Sequence, residues 1–139
     1  MTLPVFDTAA IKHATTPKLV FTAVHDALIA HAHGRTTVPP PLHLQFPDAD
    51  GDCHVKASGV ADTPDFTVKI ATGFYRNPTA GLPTNHGLVC IVSAQTGQIR
   101  AILDDQGMLT AWRTAAGTLA THAMARSDTA TLAVFGTGE

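Results

Sequence analysis

Apolar residues recur at three- and four-residue steps from Leu19 through Val20, Ala23, Val24, Ala27 and Leu28 to His31, which predicts an amphipathic helix. Thr16-Pro17 opens it, since a hydroxyl caps free amides and proline suits the first helical position, and Gly34 is placed to close it. The same capping logic predicts a short helix after Asp7. Pro39-Pro40-Pro41 then breaks regular structure and leads into an extended segment, Leu42 to Phe46, with a turn over Asp48 to Asp52. From there the period falls to two. Cys53 to Val60 and Phe66 to Gly73 read as strands joined by a turn at Asp62 to Asp65. In the second strand Phe66, Val68 and Ile70 alternate with Thr67, Lys69 and Ala71, so Lys69 faces away from the main apolar row. Tyr75 to His86, with its prolines, asparagines and Gly81, reads as an irregular loop. Gly87 to Ala94 and Gln98 to Asp104 form a hairpin about Gln95-Thr96-Gly97. The helical period returns over Leu109 to Ala125, where Leu109, Trp112, Ala116, Leu119, Ala123 and Met124 can share a buried face. A short strand, Thr131 to Phe135, follows.

Composition narrows the class. At 139 residues, 45% hydrophobic and 14% charged, the chain has the makings of a packed core, which excludes a disordered segment. The formal charge of −2 and the scattered basic residues exclude the electrostatic footprint of a nucleic-acid binder. No apolar run approaches the roughly 20 residues that span a bilayer, and Met1 to Ala10 carries acidic Asp7 without a basic n-region. Cytoplasmic residence, with no membrane or nucleic-acid partner, is the expectation. Cys53 and Cys90 are far apart and read as small buried packing residues rather than a disulfide or zinc framework. His31 and His33 cannot share a helical face, and no metal site is expected.

An apolar strand running into Gly136-Thr137-Gly138 has the form of the first turn of a dinucleotide-binding βαβ unit. Glycines are needed there because the backbone must turn tightly against a pyrophosphate. Three further segments precede it in order: Lys69-Ile70-Ala71-Thr72-Gly73-Phe74, Gly81-Leu82-Pro83-Thr84, and Leu109-Thr110-Ala111-Trp112-Arg113-Thr114-Ala115-Ala116. With these spacings the chain resembles the ornithine cyclodeaminase/mu-crystallin family, most specifically in the LTxxRTAA segment.

The resemblance implies an α/β enzyme. Residues 1–128 would form an α+β-like substrate-binding and dimerisation domain with an N-terminal helix, a mixed sheet and a long helix. Residues 129–139 would supply the first strand and glycine turn of a Rossmann domain for NAD or NADP. Family chemistry is hydride transfer at a carbon that bears nitrogen next to a carboxylate, on a small amino or cyclic imino acid. By the same resemblance Arg113 binds the substrate carboxylate, Lys69 is the catalytic and substrate-site lysine, and Thr84 is a hydroxyl donor. Thr114, Gly136, Thr137 and Gly138 would meet the cofactor. Such a carboxylate is best held by a guanidinium fork and a second donor. Read without the family, Arg113 is a surface helix residue and Lys69 a solvated strand residue.

One departure matters. The family's further substrate-binding arginine, just after a proline near the first strand, has no counterpart in Val38-Pro39-Pro40-Pro41-Leu42-His43. Ornithine itself is therefore not the expected substrate, and Lys56 or Arg76 is left to replace the lost charge. His54 and His86 flank the expected site, where an imidazole can orient substrate or relay a proton. The 139 residues alone are expected to show no turnover and negligible NAD affinity. The alternatives are a non-catalytic small-ligand-binding module of mu-crystallin type and an inert fragment.

Overall fold

The computed structural model describes residues 2–122, 125–131, 133 and 135. A mixed seven-stranded sheet carries the molecule, with helices packed on one face. In chain order the elements are β1 (Val5–Phe6), α1 (Thr8–Ala14), α2 (Pro17–Ala32), β2 (Thr36–Thr37), β3 (Leu42–Phe46), β4 (Gly51–Val60), β5 (Asp65–Phe74), β6 (Asn85–Ser93), β7 (Ile99–Leu103) and α3 (Met108–His122). The sheet order is β1-β7-β6-β5-β4-β2, and β3 also pairs with β4. Every pairing is antiparallel except β1 on β7.

Local chemistry sets the helix ends. Asp7 caps α1 by accepting from the Ala10 amide, and Thr16 caps α2 by accepting from the Leu19 amide, with Pro17 at the first helical position. The chain leaves α2 through Gly34, whose φ of 68° is open to glycine without strain. No helix among the described residues is long and apolar enough to cross a membrane.

Several expected boundaries move. The turn expected over Asp48 to Asp52 is a 3-10 turn at Pro47–Ala49, and Gly51 and Asp52 already belong to β4. The loop expected from Tyr75 to His86 contains a 3-10 turn at Asn77–Ala80, and its last two residues open β6. The two-residue strands β1 and β2 are additions. The strand expected at Thr131 to Phe135 lies partly outside the described residues; Thr131, Ala133 and Phe135 are exposed and in no regular element. Gly136, Thr137 and Gly138 lie outside the described residues altogether.

Antiparallel register puts Lys56, Lys69 and Val89 in one row across β4, β5 and β6, with His54 and Ala71 beside it. This is the helix-covered face, since Lys69 reaches Thr110 of α3 and Val89 is buried. Leu42, Leu44 and Phe46 share the opposite face with Cys53, Val55, Val68, Ile70, Phe74 and Leu88. Much of that apolar face is open: Leu42 is 53% exposed, Leu44 47% and Ile70 38%. Cys53 and Cys90 lie on it and are half-buried rather than buried. Gly51 serves this face too. A Cβ there would stand 2.5 Å from the Phe74 ring, which stacks on Phe46.

Between the helices, Val20 and Phe21 of α2 meet Trp112 and Ala116 of α3 around a small apolar cleft of about 150 Å³. Ala116 is buried as its period requires, whereas Leu119, expected in the same buried row, is 62% exposed.

Candidate functional site

A cavity of about 780 Å³ lies between the covered sheet face and the two long helices. Leu19, Val20, Ala23 and Val24 of α2 form one wall and Leu109, Thr110 and Arg113 of α3 another. The floor includes Lys56, Ser58, Thr67, Lys69, Ala71 and Val89 from the strands, and Val38, Pro39 and Pro41 close one side. The i, i+3, i+4 spacing that makes α2 amphipathic therefore also makes the apolar wall of the cavity.

Three cations meet here and no carboxylate lines the cavity among the described residues. Lys56 and Lys69 are directly paired across β4 and β5, on one face. Like charges in that position destabilise a sheet, so the pair is costly unless an anion joins it. The Lys69 ammonium donates to the Thr110 hydroxyl, which fixes its direction. Arg113, one turn beyond Leu109 and Thr110, is exposed and reaches the same space.

The helix that carries Thr110 and Arg113 is itself held by Asp105. That residue has no solvent exposure, and its Oδ2 accepts from the Leu109 amide at 2.9 Å. Its Oδ1 is buried without a hydrogen-bond partner among the described residues. Gly87 gives it room, for a Cβ at that position would lie 3.3 Å from Oδ1 and 3.1 Å from the Ile70 carbonyl oxygen. The buried carboxylate thus caps the start of α3 where it packs beside Gly87 of β6.

The residues expected at a site divide into groups. Lys56, Lys69 and Arg113 are brought together. Thr84 lines a separate cavity of about 500 Å³ with Lys12, Asn85, Asp105, Met108 and Ala111. Arg76, the other candidate replacement charge, donates to the Asp48 carbonyl oxygen and does not line the cationic cavity. His86 pairs with Thr72, in the apolar row of Ile70 and Leu88, so it stands on the opposite face from Lys69 and does not flank this cavity. His54 shares the face of Lys56, two residues away, but stacks on His43 instead of lining the cavity. Thr114 is exposed and donates its hydroxyl to the Thr110 carbonyl oxygen at 2.8 Å. Arg126 donates to Asp128 through Nε and Nη2 and holds that carboxyl below its usual range, outside any of these cavities.

Thr110 and Asp105 were not expected at the site. Thr110 stood inside the LTxxRTAA segment without a role. Asp105 had a readable signal, as an Asp just ahead of a helical run is a cap.

A helix-backed sheet thus encloses a cavity lined by three cations, and comparison with known proteins gives the family. The ornithine cyclodeaminase/mu-crystallin family matches residues 4–139, and the chain belongs to it. A Rhizobium meliloti protein named as a dehydrogenase is 40% identical over 116 residues, which cover 83% of this chain and 35% of that protein. Among solved structures, an archaeal alanine dehydrogenase dimer with bound NAD is similar at 25% identity and a TM-score of 0.77, over 84% of this chain and 35% of that one. The Δ1-pyrroline-2-carboxylate reductase of Thermococcus litoralis, in complex with NADH and L-proline, shares the fold at a TM-score of 0.82 and 23% identity, over 91% of this chain and 39% of that one. The chain thus spans about a third of the length of the relatives it matches.

Proposed function

We propose that the cavity holds the carboxylate of a small α-amino or cyclic imino acid, as the substrate half of an NAD(P)-dependent oxidoreductase or cyclodeaminase. The observation that carries this is the meeting of Lys56, Lys69 and Arg113 around one cavity that also has an apolar wall from α2. Arg113 supplies a planar fork for the carboxylate. Lys69, aimed by Thr110, is the catalytic candidate beside the substrate nitrogen and α carbon, and Lys56 takes the place of the missing family arginine. The apolar wall from α2 excludes water and fits a short aliphatic or ring substituent.

NAD(P) supplies the hydride acceptor or donor when bound. Among the described residues the chain offers it the exposed Thr114; the other expected contacts, Gly136, Thr137 and Gly138, belong to residues 129–139, which in this reading begin the nucleotide-binding unit. The open apolar face is the proposed homodimer surface.

Binding of L-proline, L-alanine and prolinamide, measured by calorimetry and thermal shift, tests the site. Arg113→Ala and Lys69→Ala are each expected to weaken carboxylate binding by about 10- to 100-fold, the size of a lost charge-assisted pair. Prolinamide should bind far more weakly than proline. Equal binding of the amide, or unchanged binding by Arg113→Ala, overturns the reading. Carboxylate binding that survives without any NAD(P)-dependent turnover in a protein of the relatives' full length favours the non-catalytic binding module.

A further inference from the structure

We propose that His43, Asp52 and His54 form a binding site for a divalent transition-metal ion of the zinc class, separate from the carboxylate cavity. His43 and His54 are directly opposite on β3 and β4, and their rings stack at 4.2 Å with 8° between planes. Asp52 is two residues before His54, so the period of two places it on the same face. Its Oδ2 lies 3.9 Å from His43 Nε2 and its Oδ1 3.8 Å from His54 Nδ1. Both distances are too long for hydrogen bonds. One donor atom from each residue lies within 4.8 Å of the other two.

The geometry suits an ion. Ligand atoms bound at about 2.0–2.2 Å in tetrahedral or octahedral array stand about 3.0–3.5 Å apart. The three atoms lie within 4.8 Å of one another and need to close by up to roughly 1–2 Å, which side-chain rotations supply. The backbone of two paired strands holds them in register meanwhile. Two imidazole nitrogens and one carboxylate oxygen select zinc, cobalt or nickel over the all-oxygen shells of calcium and magnesium. Side-chain exposures of 40% for His43, 33% for His54 and 25% for Asp52 leave further coordination positions to water or a ligand.

Gly73, opposite Asp52 on β5, makes the approach possible. A Cβ there would lie 3.3 Å from both Asp52 Oδ1 and the Tyr75 hydroxyl oxygen, so the bare Cα gives both groups room. The ion would also clip the β3 edge to β4.

The test is titration of the 139-residue chain with Zn²⁺ by isothermal calorimetry, with Co²⁺ absorption as a coordination probe. One equivalent should bind, and saturating Zn²⁺ should raise the melting temperature. His43→Gln, His54→Gln and Asp52→Asn should each weaken binding at least about tenfold, the lower end of what ligand-shell changes cost. Circular dichroism on each variant confirms the fold. The control His31→Gln/His33→Gln, at the C-terminal end of α2, should bind as the parent does. Absence of one-equivalent binding by the folded parent, or unchanged affinity in all three folded site variants, overturns the proposal. If His43→Gln alone fails to fold, His54→Gln and the Co²⁺ spectrum decide it.

Discussion

The two faces of the sheet reverse the usual arrangement. The face under α2 and α3 carries Lys56, Lys69, Ser58 and Thr67, whereas the face left open carries Leu42, Leu44, Phe46, Val68 and Ile70. Covering a polar row makes sense when the cover encloses a site rather than a core: the helices supply apolar walls and the strands supply charge. Leaving an apolar row open makes sense when a second surface is to be laid on it. Alternation along β5 shows that two faces exist, and the packing shows that the polar one is the inside.

The largest expected effect breaks the open face. Ile70→Lys places a cation in the middle of the apolar row, and at a central interface position this should raise a dimer dissociation constant by at least about 30-fold. Sedimentation or light scattering reads the result. A parent chain that is already monomeric at high concentration sinks the dimer proposal. Next in size is a break in the covered face: Asp105→Ala removes the cap at the Leu109 amide and should cost about 1–3 kcal/mol in thermal or denaturant unfolding. Asp105→Asn, which keeps one acceptor, should cost less. A smaller effect sharpens the contrast. Lys56→Met should stabilise the ligand-free chain by a few tenths to about 1 kcal/mol, by relieving the cross-strand repulsion, while weakening carboxylate binding. Loss of stability in that variant would mean that the lysine pair is not repulsive.

Much of the fold was legible because its signals are local. Thr16-Pro17 and Asp7 are caps that work through neighbouring amides, and the alternation in β5 needs no partner to be seen. What was illegible depends on distant residues. Val5–Phe6 is a strand only because Ile102 and Leu103 lie beside it. Asn85 and His86 read as loop by composition, yet pairing with Gly73 and Thr72 draws them into β6. The site divides the same way. Lys69 and Arg113 were read from motif segments and Lys56 as a replacement charge, and one cavity brings the three together. His86, expected to flank the site, lies on the face opposite Lys69, since sequence proximity to Thr84 says nothing about which sheet face a side chain takes. His43 and Asp52 became visible only with the β3–β4 register, since one had been read in an extended segment and the other in a turn.

The strand order has a temporal consequence. From β3 to β7 each strand pairs with its sequence neighbour, so hairpins can form one after another as the chain is made. The first strand, β1, has no such neighbour: Val5 waits for Ile102. Helix α2 likewise waits for α3, the last long element described, before the cavity has two walls. During synthesis the meander therefore stands with both faces bare, and the earliest residues to emerge are among the last to dock. The cavity is thus a late product of folding, and a carboxylate bound there as proposed can stabilise only a chain that has nearly finished.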